Sequence, residues 1–158
     1  MVIMGVSGCG KSSVGEALAE RLGIPYRDGD DLHPAESVAK MRAGTPLTDE
    51  DRWPWLDQVG LVLATKAPVI IGCSALKRRY RDRIRVEAGG VVTFIYLEGS
   101  RELIAGRMAD RKGHYMPLSL LDSQFAALEA PGPEEAITVS IDQPLAGIVQ
   151  EILQKVSL

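Results

Sequence analysis

The stretch Gly5-Val6-Ser7-Gly8-Cys9-Gly10-Lys11-Ser12 follows a short apolar run and precedes residues with helical apolar spacing. It fits the pattern G-x-x-x-x-G-K-[ST], in which the glycines let successive backbone N–H groups point at phosphate oxygens. In such a loop Lys11 reaches the β- and γ-phosphates of a nucleotide, and the Ser12 hydroxyl ligates Mg²⁺. The alternative is a glycine turn that binds nothing, but it leaves the Lys-Ser pair without a purpose. We therefore predict a phosphate-binding loop over residues 5–12.

Apolar segments with two different periods alternate along the whole chain. Short apolar, β-branched or aromatic runs predict strands over 1–4, 24–27, 69–71, 91–97 and 136–141. Helical spacing or composition predicts helices near 11–22, 34–43, 49–65, 75–87, 100–110, 117–129 and 145–152. This alternation is typical of βα units around a parallel sheet. With no repeat or linker between two halves, we predict a single α/β domain over residues 1–158.

The composition indicates a globular protein of ordinary type. Hydrophobic residues make up 46% and charged residues 25% of the 158, which excludes disordered and collagen-like classes. No apolar run approaches the about 18–20 residues that cross a bilayer, so we expect no membrane association. The net charge of −3 argues against nucleic-acid partners. No secretory signal is visible at the N-terminus. Cys9 and Cys73 are far apart and lack the spacing of metal ligands, which fits a reducing compartment. We therefore expect a cytoplasmic location.

Acidic residues cluster after the second expected strand, in the stretch Asp28–Pro34. In open parallel sheets the carboxyl ends of the strands face the ligand crevice. One carboxylate there could take a proton from an attacking hydroxyl, and another could hold water on Mg²⁺. The alternative is a solvated Asp-Gly turn that caps the next helix, with Asp31 as the cap. His33 also has two possible roles: it is either a functional side chain or a neighbour of the site whose ring is simply hydrogen-bonded within the protein.

Charged groups also mark the start of two expected helices. Thr48 and Asp51 fit a capping-box variant, which leaves Arg52 free as a bidentate partner for an acidic substrate. A later helix carries six cations, of which Lys77 and Arg81 lie nearest a strand end. We expect those two to bind an anion, and a solvated helix face is the alternative for most of the six.

The stretch 107–117 is rich in basic residues and poor in apolar ones, so it is not expected in the core. It contains Arg107, Arg111, Lys112 and His114. A mobile arginine that closes over the γ-phosphate and excludes water aids phosphoryl transfer. An ordinary solvated loop is the alternative.

With these pieces in order, the chain resembles the thermoresistant, or bacterial-type, gluconate kinase family over nearly its whole length. The resemblance is carried by Met4–Ser12, Asp28–Asp30, Leu32–Pro34, Lys40–Met41, Asp51–Arg52, Pro54–Leu56, Cys73–Lys77, Tyr80–Asp82, Phe94–Leu97, Arg111–His114, Gln124–Phe125, Leu128–Glu129 and Ile141–Leu145. The phosphate-binding loop alone is shared by many families. Its combination with the His-Pro turn, the Ser-Ala-Leu-Lys stretch and the Lys-Gly-His segment is specific to this one.

The resemblance implies a P-loop NTPase core of nucleoside-monophosphate-kinase or shikimate-kinase type. Such a core has a five-stranded parallel sheet flanked by helices, with a lid expected at about residues 107–118. It also implies transfer of phosphate from ATP to the 6-hydroxyl of D-gluconate, with ATP and Mg²⁺ as cofactors and a homodimer as the assembly.

The same resemblance implies roles for individual residues. Asp30 is expected to be the acceptor-side base, Asp28 to organise Mg²⁺ with Ser12, and Arg111 to touch the transferred phosphate. The expected nucleotide site comprises Gly5, Val6, Ser7, Gly8, Cys9, Gly10, Lys11, Ser12, Arg107, Asp142, Gln143 and Pro144. The expected acceptor site comprises Asp30, His33, Arg52, Lys77, Arg81 and His114.

The sequence departs from the family at two places. Cys9 stands where the family has a small or hydroxyl residue, which should not impair phosphate binding. A thiol near a helix N-terminus has a lowered pKa, so a redox role stands beside the plainer role of a small loop residue. An asparagine of the family is replaced by Ser37 or Val38, so the acceptor contacts of this helix are left unassigned.

Two other functions remain as alternatives. A kinase of another small acceptor, such as shikimate or a nucleoside monophosphate, would share the same core. A nucleotide switch without transfer chemistry fits less well, because the chain has no Asn-Lys-x-Asp motif. The strand at 69–71 also ends in Gly-Cys-Ser rather than in an acidic residue.

Overall fold

The computed structural model describes residues 1–109 and 118–156, and in that part of the chain five strands alternate with seven α-helices. The strands are β1 (Val2–Met4), β2 (Tyr26–Asp28), β3 (Ile70–Gly72), β4 (Phe94–Glu98) and β5 (Ala136–Ser140). The helices are α1 (Lys11–Leu22), α2 (Ala35–Arg42), α3 (Asp49–Thr65), α4 (Arg78–Ala88), α5 (Arg101–Ala109), α6 (Leu118–Ala127) and α7 (Leu145–Lys155). A short 3₁₀ turn over Gly29–Leu32 follows β2.

All strand pairs are parallel, and the strand order is β2-β3-β1-β4-β5. β1 lies at the centre, where Val2 is paired with Ile71 of β3 and with Phe94 of β4. Because β1 runs directly into the phosphate-binding loop, that loop lies at the middle of the carboxyl edge of the sheet. The predicted α/β arrangement with a five-stranded parallel sheet is confirmed.

The three inner strands, β1, β3 and β4, are buried on both faces, as expected for parallel strands covered by helices, while the edge strand β2 is partly exposed. Side chains alternate along β1, so Ile3 packs in one apolar cluster while Val2 and Met4 pack in the other. The first cluster joins the sheet to α1, α5, α6 and α7, and the second joins it to α3 and α4. Within the described residues, no helix combines the length and apolarity that a bilayer crossing needs.

Local signals fixed several helix ends correctly. The Thr48 hydroxyl accepts from the Asp51 backbone N–H and the Asp51 carboxylate accepts from the Thr48 N–H, which confirms the capping box. α1 ends where Gly23 adopts φ +69° and its N–H donates to the Ala19 carbonyl. α7 begins directly after Pro144, as predicted.

The start of α4 differs from the prediction. The helix was expected from residue 75, but it begins at Arg78. Ala75 has φ +45°, which a right-handed helix cannot contain, so the chain from β3 makes a turn before α4 begins.

Candidate active site

The phosphate-binding loop is shaped by its glycines. Gly8 and Gly10 have φ +83° and +100°, in the left-handed region that other residues avoid. A Cβ at Gly8 would also lie 2.8 Å from the flexible Met108 side chain, which would have to move, so it is the backbone conformation that favours glycine there. α1 begins at Lys11, and its first N–H groups therefore point toward the space enclosed by the loop. The arrangement suits an anion such as a phosphate.

Lys11 lies over this loop. Its Nζ donates to the carbonyl oxygens of Gly5 and Val6, both at 3.0 Å. Phosphate oxygens are stronger, charge-assisted acceptors than neutral carbonyls. We therefore expect the ammonium to exchange these carbonyls for phosphate oxygens when a nucleotide binds.

Two carboxylates of the acidic turn face the loop. Asp28 and Asp30 line one cavity of about 180 Å³ together with Lys11 and Ser12. The Asp28 carboxylate also accepts a 2.9 Å hydrogen bond from the backbone N–H of Asp30, which fixes the 3₁₀ turn. The structure thus places the phosphate-binding loop, expected to bind the nucleotide, next to the acidic residues expected to act on the acceptor.

The alternative in which Asp31 caps the next helix is wrong. The N-cap position of α2 is Pro34, and no side chain caps that helix. The cap is instead made by Asp28, and it belongs to the 3₁₀ turn.

The environment of Asp30 raises the pKa of its carboxyl group above that of an ordinary aspartate. The side chain keeps contact with solvent through the cavity, yet surrounding protein atoms displace part of its water, and this burial raises its pKa. The Asp28 carboxylate raises the pKa of Asp30 further, while His33 and Lys11 act in the opposite direction. A carboxylate with a raised pKa is a better general base than an ordinary one, so the position suits proton abstraction.

The same cavity fits Mg²⁺. The described residues contain no group of three or more His, Cys, Asp or Glu placed to hold a metal ion. Mg²⁺ at phosphoryl-transfer sites usually takes one or two protein oxygens and completes its shell with water and phosphates. The Ser12 hydroxyl and the Asp28 carboxylate, which both line the cavity, can supply such oxygens.

His33 lies beside this cavity in a defined orientation. Its ring stacks on Trp55 with centroids 4.1 Å apart, and Trp55 Nε1 donates to the Gly29 carbonyl at 2.7 Å. Burial lowers the pKa of His33, so the imidazole is neutral near pH 7. Its Nδ1 is buried and has no hydrogen-bond partner among the described residues. Because this nitrogen is out of contact with solvent, the structure itself does not place it against a substrate hydroxyl.

Three cations surround the Tyr80 ring and form what we call the cation cluster. The guanidinium carbons of Arg52 and Arg79 lie 5.6 Å from the ring centroid, and Lys77 Nζ lies 5.9 Å from it. The Tyr80 hydroxyl donates to Asp49 at 2.6 Å, and Asp49 also pairs with Arg79. One carboxylate against three cations leaves an excess of positive charge, which suits an acidic substrate.

The structure corrects the placement of Arg81. Its side chain is 1% exposed and donates to Glu135 at 2.6 Å, to the Ala75 carbonyl at 2.7 Å and to the Glu129 carbonyl at 2.8 Å. Arg85 binds the same Glu135 carboxylate. The anion expected near this helix face is therefore a residue of the protein. Arg81 is buried because it shares the core-facing side of α4, and it has no surface left for the acceptor.

The residues expected near the adenine are adjacent. Arg107 Nη2 donates to the Ile141 carbonyl at 2.6 Å, next to the stretch Asp142–Pro144. Gln143 Nε2 donates to the Ser140 carbonyl at 2.8 Å and so braces that stretch. Arg111 and His114, with most of the expected lid, lie outside the described residues.

Cys9 differs from the expectation for its position. The thiol is 1% exposed, and burial raises its pKa despite the nearby Lys11. Burial also raises the pKa of Cys73 to about 12. Neither thiol is a thiolate at neutral pH, which favours the plainer role of a small loop residue for Cys9.

Comparison with known proteins places the chain in a family. A family model described as an AAA domain matches residues 1–131. The chain is 43% identical to the thermoresistant gluconokinase of Escherichia coli (strain K12) over 159 residues, covering 97% of this chain and 90% of the relative. The chain belongs to the gluconokinase family.

Solved structures agree with this membership. A gluconokinase from Sinorhizobium meliloti 1021 is similar at 54% identity with a TM-score of 0.89, covering 97% of this chain and 88% of its own. The shikimate kinase of Aquifex aeolicus is 18% identical with a TM-score of 0.64 and covers 97% and 92% of the two chains, which shows a shared fold. The gluconokinase family and the P-loop kinase fold predicted from the sequence are both confirmed.

Several residues that the structure places around the candidate site were given no role from the sequence, although three of them lie in stretches that carry the family resemblance. They are Trp55 beneath His33, Arg79 and Tyr80 in the cation cluster, Glu135 beside Arg81, and Gln124 beside the phosphate-binding loop. The cation-rich start of α4 was a usable signal for Arg79 and Tyr80. Glu135 and Gln124 meet partners 54 and 117 positions away, and no local pattern marks such contacts.

Proposed function

We propose that this chain transfers the γ-phosphoryl group of ATP to the 6-hydroxyl of D-gluconate, giving ADP and 6-phospho-D-gluconate. The main observation in support of the proposal is that Lys11 and Ser12 line the same cavity as Asp28 and Asp30. Membership of the gluconokinase family supports the choice of acceptor. In this role the protein serves gluconate catabolism.

The phosphate-binding loop holds and polarises the triphosphate. The N–H groups of Gly5, Ser7 and Cys9 are paired within the protein, and the other backbone N–H groups of the loop and of the start of α1 bind the phosphate oxygens. Lys11 neutralises charge on the transferring group. Ser12 and Asp28 would hold Mg²⁺, which would supply further positive charge to the phosphates. These groups stabilise charge that is spread over the transferred phosphoryl group as the reaction proceeds.

Asp30 prepares the acceptor. Its carboxylate takes the proton of the 6-hydroxyl while that oxygen forms a bond to the γ-phosphorus. The bond from the γ-phosphorus to the bridging oxygen breaks, and its electron pair leaves with ADP. The raised pKa of Asp30 supports this assignment, because the carboxylate then has more affinity for the proton it accepts.

The cation cluster receives the acidic end of the acceptor. Arg52 and Lys77 lie against the same Tyr80 ring, and we assign them to the carboxylate of D-gluconate. His33, whose pKa is influenced by the neighbouring Asp30, is assigned to one of the acceptor hydroxyls on the family resemblance. A substrate that spans from Asp30 to the cation cluster must carry a hydroxyl at one end and a negative charge at the other.

Other parts of the proposal rest on the family resemblance. Arg111 contacts the transferred phosphate and His114 the acceptor, while Arg107 and the stretch Asp142–Pro144 lie beside the adenosine. The enzyme acts in the cytoplasm as a homodimer, for which size-exclusion chromatography with light scattering is the direct measurement.

An acceptor panel tests the proposed function. ADP release is measured with ATP, Mg²⁺ and D-gluconate, shikimate, a nucleoside monophosphate or no acceptor, and the product is examined by ³¹P NMR. We expect D-gluconate to give the highest kcat/KM and a phosphate ester on C6. If another acceptor were turned over faster than D-gluconate, that compound would be the substrate. If the protein bound ATP but released no ADP in response to any acceptor, it would be a nucleotide-binding module.

A further inference from the structure

Gln124 of α6 makes a two-point contact with the phosphate-binding loop. Its Oε1 accepts from the backbone N–H of Ser7 at 2.7 Å, and its Nε2 donates to the Ser7 hydroxyl at 2.9 Å. A carboxamide carries both an acceptor and N–H donors, and this pairing uses both. The backbone and the side chain of one loop residue are therefore held by one side chain from a distant helix.

The helix that carries Gln124 is firmly anchored. Leu121, one turn earlier on α6, is fully buried in the apolar cluster that contains α1 and α5. The Gln124 carbonyl accepts from the Leu128 N–H at 2.9 Å, and Phe125, the next residue on α6, packs against the same cluster. The carboxamide is thus presented from a fixed helix face, which limits how far the Ser7 peptide can rotate.

The neighbouring loop residue is held from the same side. Met108 of α5 packs directly on Gly8, in the space that a Cβ would need. Ser7 and Gly8 both line the cavity with Lys11 and Ser12. Apolar packing against Gly8 limits where the loop backbone lies but not how its peptide groups are oriented. The hydrogen bonds at Ser7 are directional, so they also restrict that orientation. The orientation of this part of the loop therefore depends on Gln124.

We propose that Gln124 is a positioning residue for nucleotide binding, acting through Ser7. A loop that binds phosphate through its backbone N–H groups loses conformational entropy when it orders around the ligand. If the loop is already held in its binding conformation before the nucleotide arrives, that loss is smaller. Gln124 supplies the restraint from outside the loop. The inference rests on the nucleotide binding of the proposed function and adds a residue that no phosphate-loop motif contains.

The substitution Gln124→Leu tests this inference, because leucine has a similar size and no hydrogen-bonding group. The matched control is Asp122→Asn, on the same helix, which weakens the pair with Arg101 and leaves Ser7 untouched. Calorimetry with a non-hydrolysable ATP analogue and Mg²⁺ gives Kd, and steady-state kinetics gives KM for each substrate. For Gln124→Leu we expect Kd and the KM for ATP to rise roughly tenfold, as for two net hydrogen bonds. The KM for D-gluconate should stay within twofold.

A second variant ties the effect to Ser7. Ser7→Ala removes the hydroxyl that Gln124 pairs with, so it should weaken the analogue in the wild-type background and add little in the Gln124→Leu background. Gln124→Glu provides a second test should the leucine variant fail to fold. It keeps an acceptor for the Ser7 N–H but sets a negative charge beside the phosphates, and it should weaken binding at least as much.

Three results would overturn the inference: analogue binding by Gln124→Leu within twofold of wild type, equal weakening by Asp122→Asn, or full additivity of Ser7→Ala with Gln124→Leu. A lower melting temperature with unchanged Kd would likewise make Gln124 a merely structural residue. A wild-type protein that bound no analogue would instead remove the proposed function itself.

Discussion

Arg81 Nη1 donates a 2.7 Å hydrogen bond to the carbonyl of Ala75, the one non-glycine residue with positive φ in the described part of the chain. A positive φ is strained for alanine and persists only where surrounding contacts hold it. The Arg81 guanidinium is itself fixed by the buried Glu135 carboxylate. A buried ion pair therefore stabilises the turn between β3 and α4.

This turn also contacts the nucleotide side of the site. The Ser74 carbonyl, next to Ala75, accepts from the backbone N–H of Gly5, the first residue of the phosphate-binding loop, at 3.2 Å. Lys77 of the cation cluster lies two residues after Ala75. The conformation of Ala75 thus sets how the acceptor side and the nucleotide side lie relative to each other.

Arg81→Met should strongly destabilise the protein. It leaves the Glu135 carboxylate, which is only 5% exposed, without its main partner. Removing one member of a buried ion pair typically costs about 3–5 kcal/mol of unfolding free energy. Urea denaturation measures this loss. The double variant Arg81→Met/Glu135→Leu should recover part of it, and no recovery would mean that the charge of Glu135 is not the cause.

Asp30→Asn should lower kcat about 100-fold or more while leaving the affinity for ATP near the wild-type value, because it removes the proposed base and no phosphate contact. Steady-state kinetics and calorimetry measure the two quantities. Asp31→Asn is the matched control, since Asp31 is the neighbouring carboxylate and does not line the cavity. Equal losses in the two variants would argue against a specific role for Asp30.

The pH dependence of kcat/KM, which reports groups of the free enzyme, should show the raised pKa of Asp30. Burial, and then the Asp28 carboxylate, raise this pKa above 3.8, and the base acts only when deprotonated. Activity should therefore fall on the acidic side at a higher pH than an ordinary aspartate would give. A raised folded pKa also means that ionised Asp30 destabilises the folded protein above that pKa. Asp30→Asn should accordingly raise the melting temperature at pH 7 and remove the acidic limb.

Local signals explain how much of the site the sequence revealed. The loop at residues 5–12 is recognisable because its glycines, lysine and serine are consecutive, and the chemistry needs them in that order. The pairing of Asp28 and Asp30 with this loop followed from the rule that carboxyl ends of parallel strands meet at one edge. The capping box at Thr48 needs only four residues, and it was correct in detail.

Contacts between residues that are far apart in the chain could not be predicted from the sequence pattern. The sequence analysis expected Lys77 and Arg81 to bind an anion, but a run of cations cannot tell whether that anion is a substrate or a carboxylate of the protein. Glu135 lies just before β5, and only the packing of the chain brings it to Arg81. The strain at Ala75 was equally hidden, because alanine is not a residue that marks positive φ.

Lys77→Met should raise the KM for D-gluconate roughly tenfold or more and leave the KM for ATP within twofold. The lysine lies in the cation cluster, where we place the acceptor carboxylate, and a hydrogen bond to a charged group contributes about 1.5–3 kcal/mol. Arg83→Met is the control, since it removes one cation from α4, the helix that follows Lys77, where Arg83 pairs with Asp57. A neutral acceptor alcohol should be used equally by Lys77→Met and wild type. If Arg83→Met raised the KM for D-gluconate as much as Lys77→Met, the effect would come from overall charge and not from the cation cluster.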